Sequence, residues 1–108
     1  MFNLLRKATA GFSADYILAR VKIAHFIPGR IRVIWPELKQ DPSLRQEVKA
    51  RLDKTAAINF YRINEIIGSV LIEYDVHKAA KDPFISSLLS KAAQRRAREN
   101  RQERVNAD

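Results

Sequence analysis

The sequence predicts a small α+β domain, because segments with helical and strand-like patterns alternate along a chain too short for two full-sized domains. Apolar residues recur at helical spacing in three segments and alternate with polar residues in three others. The predicted order is helix, strand, helix, strand, strand, helix. The chain has 108 residues, of which 46% are hydrophobic and 30% are charged. This composition is typical of a folded protein.

Residues 1–20 are predicted to form an amphipathic helix, with Asn3, Arg6 and Lys7 facing away from its apolar stripe. Two interpretations stay open. The helix either packs on the domain, or lies in a membrane interface with its cations toward the lipid headgroups. The stripe comprises Met1, Phe2, Leu5, Ala8, Phe12, Tyr16 and Ala19, and the membrane contacts in the second interpretation are Phe2, Leu5, Phe12 and Tyr16.

Residues 21–35 are predicted to be extended, with a break at Pro28 and Gly29. Proline lacks the N–H that a ladder needs, and glycine tolerates positive φ. The pair therefore predicts a bulge or kink within one strand, which Pro36 ends. The alternating residues are Val21, Ile23 and His25 before the break, and Ile31, Val33 and Trp35 after it.

A second helix is predicted to begin at Asp41 or Ser43, either of which can cap it. Residues 57–63 and 69–74 form the second and third predicted strands, with a turn at residues 64–68 between them. The buried row of the second helix comprises Leu44, Val48 and Leu52.

The last helix is predicted to begin at Asp82 and Pro83, because proline is favoured at the first helical position. No apolar residue larger than alanine occurs between residue 93 and Val105, so the helix is expected to leave the body as an exposed basic extension. Its apolar face comprises Phe84, Ile85, Leu88, Leu89, Ala92 and Ala93, and its basic tail comprises Lys91, Arg95, Arg96, Arg98, Arg101 and Arg104. The predicted division is a helix at 1–20, a core at 21–82 and a helix with a basic tail at 83–108.

The formal net charge is +8 at pH 7, and the excess lies in residues 1–36 and 83–108 while residues 37–82 balance to zero. Basic flanks suit an anionic membrane surface, a nucleic acid or an acidic protein face. The absence of cysteine excludes disulfides, thiolate metal sites and cysteine nucleophiles. The longest nearly apolar run, residues 66–72, is too short to cross a membrane. We therefore expect a cytoplasmic protein, either free or peripheral on a membrane.

Two motifs resemble the heavy-metal-associated domain, and in particular its cysteine-free branch, which occurs in small proteins and at the N-termini of metal-transporting P-type ATPases. The stretch from His25 to Arg32 is similar to the branch's His-x-x-Pro-Gly-Arg-x-Arg signature. Residues 64–75 are similar to its Asn-x-x-Thr-Gly-Ser hairpin, with Ile67 at the threonine position and Gly68 at the glycine. The resemblance implies a ferredoxin-like core and a role in the homeostasis of iron or another transition metal.

The chain also departs from that family. The Cys-x-x-Cys loop with which a typical member binds Cu(I) or Zn(II) is absent, which excludes soft-metal binding by the usual thiolate chemistry. A fourth strand is not evident after Phe84, so the fold class predicted is α+β, ferredoxin-like, with βαββα order. The first strand is then expected to lie on an open edge, which favours pairing with a second copy or another chain.

Few residues suggest chemistry. His25 is a candidate metal ligand, with carboxylates such as Asp75 or with a second copy, and its alternative role is structural. Arg30 and Arg32 share one face of their strand. They could grip a phosphate or a partner's carboxylates, or pair with an acid such as Glu73. With no nucleophile motif and no Gly-rich phosphate loop, the sequence does not favour an enzyme.

The expected function is that of a non-catalytic accessory module in metal homeostasis, bound to a metal-transporting P-type ATPase or to its membrane. The alternatives are a metal-binding oligomer that uses His25 and a nucleic-acid-binding protein that uses the basic tail. No cofactor is required by the sequence, although a transition metal is compatible with it. A homodimer through the edge strand is a further expectation.

Overall fold

The computed structural model describes residues 13–107. Its elements in chain order are α1 (Ala14–Arg20), β1 (Lys22–Ile27), β2 (Arg30–Ile34), a short 3-10 helix (Pro36–Lys39), α2 (Pro42–Asp53), β3 (Ile58–Asn64), β4 (Ser69–Tyr74), α3 (Val76–Lys81) and α4 (Pro83–Ala107). The short helix α3 and the 3-10 helix were not predicted from the sequence. Asp41, and not Ser43, caps α2, since its side chain accepts the Leu44 N–H at 3.0 Å.

The four strands form one antiparallel sheet in the order β1-β2-β4-β3. Strands β2, β3 and β4, with helices α2 and α4, supply the predicted βαββα unit, so the α+β ferredoxin-like class is confirmed. The first strand of that unit is β2. In a complete ferredoxin-like fold, a fourth strand at the end of the unit would pair with its free side. In this protein β1, which precedes β2 in the chain, pairs there. The predicted first strand, residues 21–35, is thus two strands. Its first half, β1, lies on an edge as expected, whereas its second half, β2, which carries Arg30 and Arg32, has a neighbour on each side.

Pro28 and Gly29 form a hairpin turn between two strands. The expectation of a kink within one strand is wrong. Ile27 pairs with Arg30 across the turn, and Gly29 has φ +86°, which is the glycine conformation that follows proline in a type II turn. The Gly29 carbonyl also accepts the Tyr74 N–H at 3.0 Å, which ties the turn to β4. The register shift in β1 lies between Ile23 and His25, upstream of the turn.

One hydrophobic core lies between the sheet and the helices and draws on all three segments of the predicted division. From the sheet it takes alternate residues such as Ile31 and Ile72, which are directly paired across β2 and β4. Trp35 is 2% exposed and belongs to this core. From α1, α2 and α4 the core takes residues Ala14, Ile17, Leu18, Leu44, Val48, Leu52, Ile85, Leu88 and Ala92.

A continuous helix over residues 1–20 is contradicted at Ser13. This residue has extended dihedral angles (φ −80°, ψ 163°), and its hydroxyl caps α1 by accepting the Tyr16 N–H. The face of α1 that packs on the core carries Ile17 and Leu18, whereas Tyr16 and Ala19 of the predicted stripe are exposed. The remainder of that stripe, including Phe2, Leu5 and Phe12, lies outside the described residues.

The beginning of the basic tail is bonded to the rest of the fold, which corrects the expectation of an exposed extension. Arg95 donates to the carbonyls of Leu18 and Val21, the latter at 2.8 Å, and Arg96 donates to the Ile23 carbonyl at 3.3 Å. Lys91 Nζ lies 3.1 Å from Asp15 Oδ1. Because the last carbonyls of a helix lack partners within it, Arg95 completes the C-terminal end of α1.

We expect Arg95→Gln to lower the free energy of unfolding by about 1–3 kcal/mol, because it removes charge-assisted bonds to two carbonyls. Urea unfolding followed by circular dichroism measures this change. Arg98→Gln is the control, since Arg98 is exposed on the same helix and its loss should cost less than about 0.5 kcal/mol. Equal losses in the two variants would show that Arg95 contributes nothing specific.

Gly68 is the second position that requires glycine. Its φ is +71°, its carbonyl accepts the Trp35 N–H at 2.6 Å, and a Cβ placed on it would lie 2.8 Å from the Trp35 carbonyl oxygen. The corresponding Cβ on Gly29 would meet its nearest atom, the Tyr74 oxygen, at an ordinary 3.6 Å.

Gly29→Ala and Gly68→Ala therefore form a matched pair. Both variants place a side chain at positive φ, which costs about 1–2 kcal/mol. Only Gly68→Ala adds a clash with backbone, so we expect it to lower the unfolding free energy by the larger amount. Thermal and urea unfolding of the two variants measure the difference. A Gly29→Ala variant as unstable as Gly68→Ala would contradict this account of the clash.

Candidate interaction surface

The register of the four strands gives three cross-strand rows on the face of the sheet turned away from the core. One of them, formed by Lys22, Ile34, Ser69 and Asn64, is buried at Ser69 and half-buried at Ile34. The other two rows contain eight residues. We call these eight residues the open face. The first row is His25, Arg32, Leu71 and Arg62, and the second is Ile27, Arg30, Glu73 and Phe60. The two residues on β4, Leu71 and Glu73, are half-buried, and the other six are exposed.

The open face is positively charged. Its one carboxylate, on Glu73, has an oxygen 3.8 Å from Arg30 Nε, and both side chains are nearly half exposed (43% and 49%). An ion pair at that exposure contributes little to stability. Within the described part of the chain, neither Arg32 nor Arg62 has an acidic partner. Two guanidinium groups on this face are therefore available to an external anion.

Apolar groups accompany these cations. Leu71 stands between Arg32 and Arg62 in the first row, and Phe60 and Ile27, at the ends of the second, are 45% and 47% exposed. Arginine and aromatic side chains are enriched in the energetically important part of a protein interface. The open face thus has the composition of a protein-binding surface.

The two arginines singled out from the sequence do share a face, but on a central strand. Arg30 pairs with Glu73, as one interpretation expected, and Arg32 does not. Arg62 and Phe60 were missed. The alternation of the strand at 57–63 puts them on one face, but the register that sets them beside Leu71 and Glu73 depends on the shift at Asn59.

The family model for heavy metal associated domain 2 matches residues 10–105, which is most of the chain. The chain belongs to this family. No curated protein and no solved structure matches it significantly. Family membership indicates metal-related binding or handling, and it confirms the resemblance found in the two sequence motifs at the level of the domain.

Despite this membership in a metal-associated family, the described residues do not fit a metal centre. Among residues 13–100, whose side chains the structure describes, no three or more His, Cys, Asp or Glu side chains are grouped so that they could hold a metal ion. His25 is exposed and pairs with Arg32 across β1 and β2. Asp75, its suggested co-ligand, caps α3 and accepts the Lys78 N–H at 2.9 Å, a bond that lowers the pKa of the carboxyl group.

The two regions of this heavy-metal-associated chain that were expected to contact a membrane are the predicted helix at 1–20 and the basic tail. The structure describes only part of each. Tyr16 is 37% exposed, and the Arg20 guanidinium lies 3.8 Å from the centre of its ring. In the described part, no helix has the length and apolar character needed to span a bilayer. Of the basic tail beyond Arg96, Arg98 is exposed, and the side chains of Arg101 and Arg104 lie outside the described residues.

A polar cluster joins α2 to β3 on the side of the sheet that faces the core. The Tyr61 hydroxyl donates to Asp53 at 2.6 Å, and Lys49 Nζ lies 3.1 Å from the same carboxylate. The Tyr61 bond is the main cause that lowers the pKa of Asp53, while the bond to Asp53 is the main cause that raises the pKa of Lys49. The cluster fixes the edge strand β3, which carries Phe60 and Arg62.

Because the folded-state pKa of Asp53 is lowered, its contribution to stability is present above the unfolded pKa and lost as the pH falls through the folded pKa. Tyr61→Phe removes the main cause, so we expect the pKa of Asp53 to rise toward its ordinary value. Carboxyl NMR titration measures the shift, with Asp75 as the internal control whose pKa stays low. An unchanged Asp53 titration in Tyr61→Phe would contradict the role given to the hydroxyl.

Proposed function

We propose that this chain is a non-catalytic interaction module of a metal-handling system, and that it binds a metal-transporting P-type ATPase. The observation that supports the proposal is the open face, where Arg32 and Arg62 are exposed without acidic partners in the described part of the chain. Family membership supplies the metal context, and the charge and composition of the face support binding to another protein.

A metal site built on His25 is less well supported. His25 and Arg32 are direct cross-strand neighbours, so a divalent cation on the imidazole would lie close to a permanent positive charge. Like charges at that separation repel, and no grouping of donors in the described residues offsets the repulsion.

The positive charge of the open face would attract a nucleic acid as well as an acidic protein. The apolar residues of the face fit a nucleic acid less well than a protein. The open face has two aromatic rings, those of Phe60 and His25, and they lie on opposite edge strands of the sheet. Sheets that bind RNA stack two or three bases on aromatic side chains. Arg95 and Arg96, which begin the predicted basic tail, are bonded to backbone carbonyls. Fewer cations are therefore available to phosphates than the net charge suggests.

The proposal is tested by site-specific photo-cross-linking. Benzoylphenylalanine replaces Phe60, an exposed aromatic residue of the open face, and the full chain is mixed with each purified metal-transporting P-type ATPase of the source organism in detergent. We expect a cross-linked product with at least one of these ATPases, and we expect unlabelled wild-type chain to suppress it.

The matched control places the same photo-reactive residue at Glu47, which is exposed on α2 on the other side of the molecule. We expect little or no product from position 47. Absence of product from position 60, or equal product from both positions, would overturn the proposal. A product that nuclease-resistant oligonucleotide abolishes would instead indicate that the face binds nucleic acid.

A further inference from the structure

We infer that the open face recognises an acidic protein segment in which carboxylates flank an aliphatic side chain. The inference rests on the proposed function and specifies the chemistry of the partner. The recognition residues are Arg32, Leu71 and Arg62, which are neighbours in one row on β2, β4 and β3.

The spacing of the row sets the spacing of the charges. Neighbouring strands lie about 4.8 Å apart, so the backbones at Arg32 and Arg62 are separated by about 10 Å. Each guanidinium can hold one carboxylate through two parallel hydrogen bonds, a geometry that lysine cannot provide. Two acidic side chains of one segment can therefore be bound at the same time, one on each side of β4.

The centre of the row is apolar. The part of the bound segment that lies between its two carboxylates would cover it. Leu71 is half-buried, and Phe60, diagonal to it on β3, is 45% exposed. Diagonal neighbours in a sheet lie about 7–8 Å apart, within reach of an aromatic ring. An aliphatic side chain placed over Leu71 would bury apolar surface that is exposed on both molecules.

Charge excludes the nearest alternative occupants. A second copy of this chain packed open face to open face would bring the same unpaired arginines close to Arg32 and Arg62, so like charges would oppose the contact. Residues 1–12 contain Arg6 and Lys7 and no acidic side chain, so they do not complement the face either. A nucleic acid supplies anions but no aliphatic side chain to cover Leu71.

The probe is a fluorescein-labelled peptide that has one leucine with two glutamates on each side, set between glycine and serine residues. Its partner probe replaces the leucine by serine and keeps the charge. We expect the full-length wild-type chain to bind the leucine peptide, in fluorescence anisotropy, more tightly than the serine peptide. Arg32→Gln/Arg62→Gln should weaken binding of the leucine peptide by about tenfold or more.

The control is Lys54→Gln/Lys81→Gln, which removes the same charge from two exposed lysines on other parts of the molecule. It should weaken binding by less than about twofold, since distant exposed charges are screened by salt. Glu73→Gln should tighten binding, because it frees Arg30 from its ion pair. A gain in affinity cannot come from misfolding, and circular dichroism checks the fold of the arginine variant.

Equal affinity for the leucine and serine peptides, or no binding of either, would overturn the inference. An equal effect of the lysine and arginine pairs would overturn it as well, because binding would then follow net charge alone. Tighter binding of a short oligothymidylate would reassign the face to nucleic acid.

If the peptides fail while cross-linking through position 60 succeeds, the proposed function stands and only the partner's chemistry is wrong. If the peptides bind and cross-linking fails, the acidic partner is not the ATPase.

Discussion

The pairing of β1 with β2 is the interaction on which the rest of the structure depends. Through this pairing, β1 takes the place of the fourth ferredoxin-like strand, although it precedes the unit in sequence. A tight turn at Pro28 and Gly29 connects it to β2. A strand after α4 is then unnecessary for closing that side of the sheet. The segment that follows Asp82 can remain one helix to Ala107, and Arg30 and Arg32 are placed on a central strand.

The same pairing determines which charges are structural. Because β1 follows α1 closely, the carbonyls at the end of α1 and on the outer side of β1 lie beside α4. Arg95 and Arg96 satisfy those carbonyls. Their bonds hold residues more than 70 positions apart in sequence. On the open face, by contrast, Arg32 and Arg62 have no acidic partner in the described part of the chain. Net charge alone does not distinguish these two kinds of arginine.

The sequence predicted the parts of the fold that local physics determines. Alternation identified the strands at 57–63 and 69–74 to within one residue, and the proline and capping signals at Asp41 and Asp82 located two helices. Pro28 and Gly29 were ambiguous, because a bulge and a type II turn both use proline and positive φ. The choice between them depends on whether β1 can pair with β2, which is a tertiary interaction.

The candidate site was predictable only in part for a similar reason. Adjacent alternate positions on one strand share a face, which was enough to place Arg30 and Arg32 together. Arg62 comes to the same face through two strand registers, one of them shifted at Asn59, and no local pattern reports a register. The sequence predicted Arg95 to be part of a solvated tail. Its partners are backbone carbonyls, which every residue has, so no residue type in the sequence indicates these bonds.

Membership in a metal-associated family is compatible with a cationic surface if another protein binds the metal and this chain binds that protein. An unpaired guanidinium repels a divalent cation but attracts the carboxylates with which other proteins coordinate or surround such ions. Arg32 and Arg62 therefore favour contact with an acidic protein surface over contact with the ion itself. Under the proposed function, the chain would act in metal handling by binding another protein, and the proposed acidic segment would be selected by the row through Leu71.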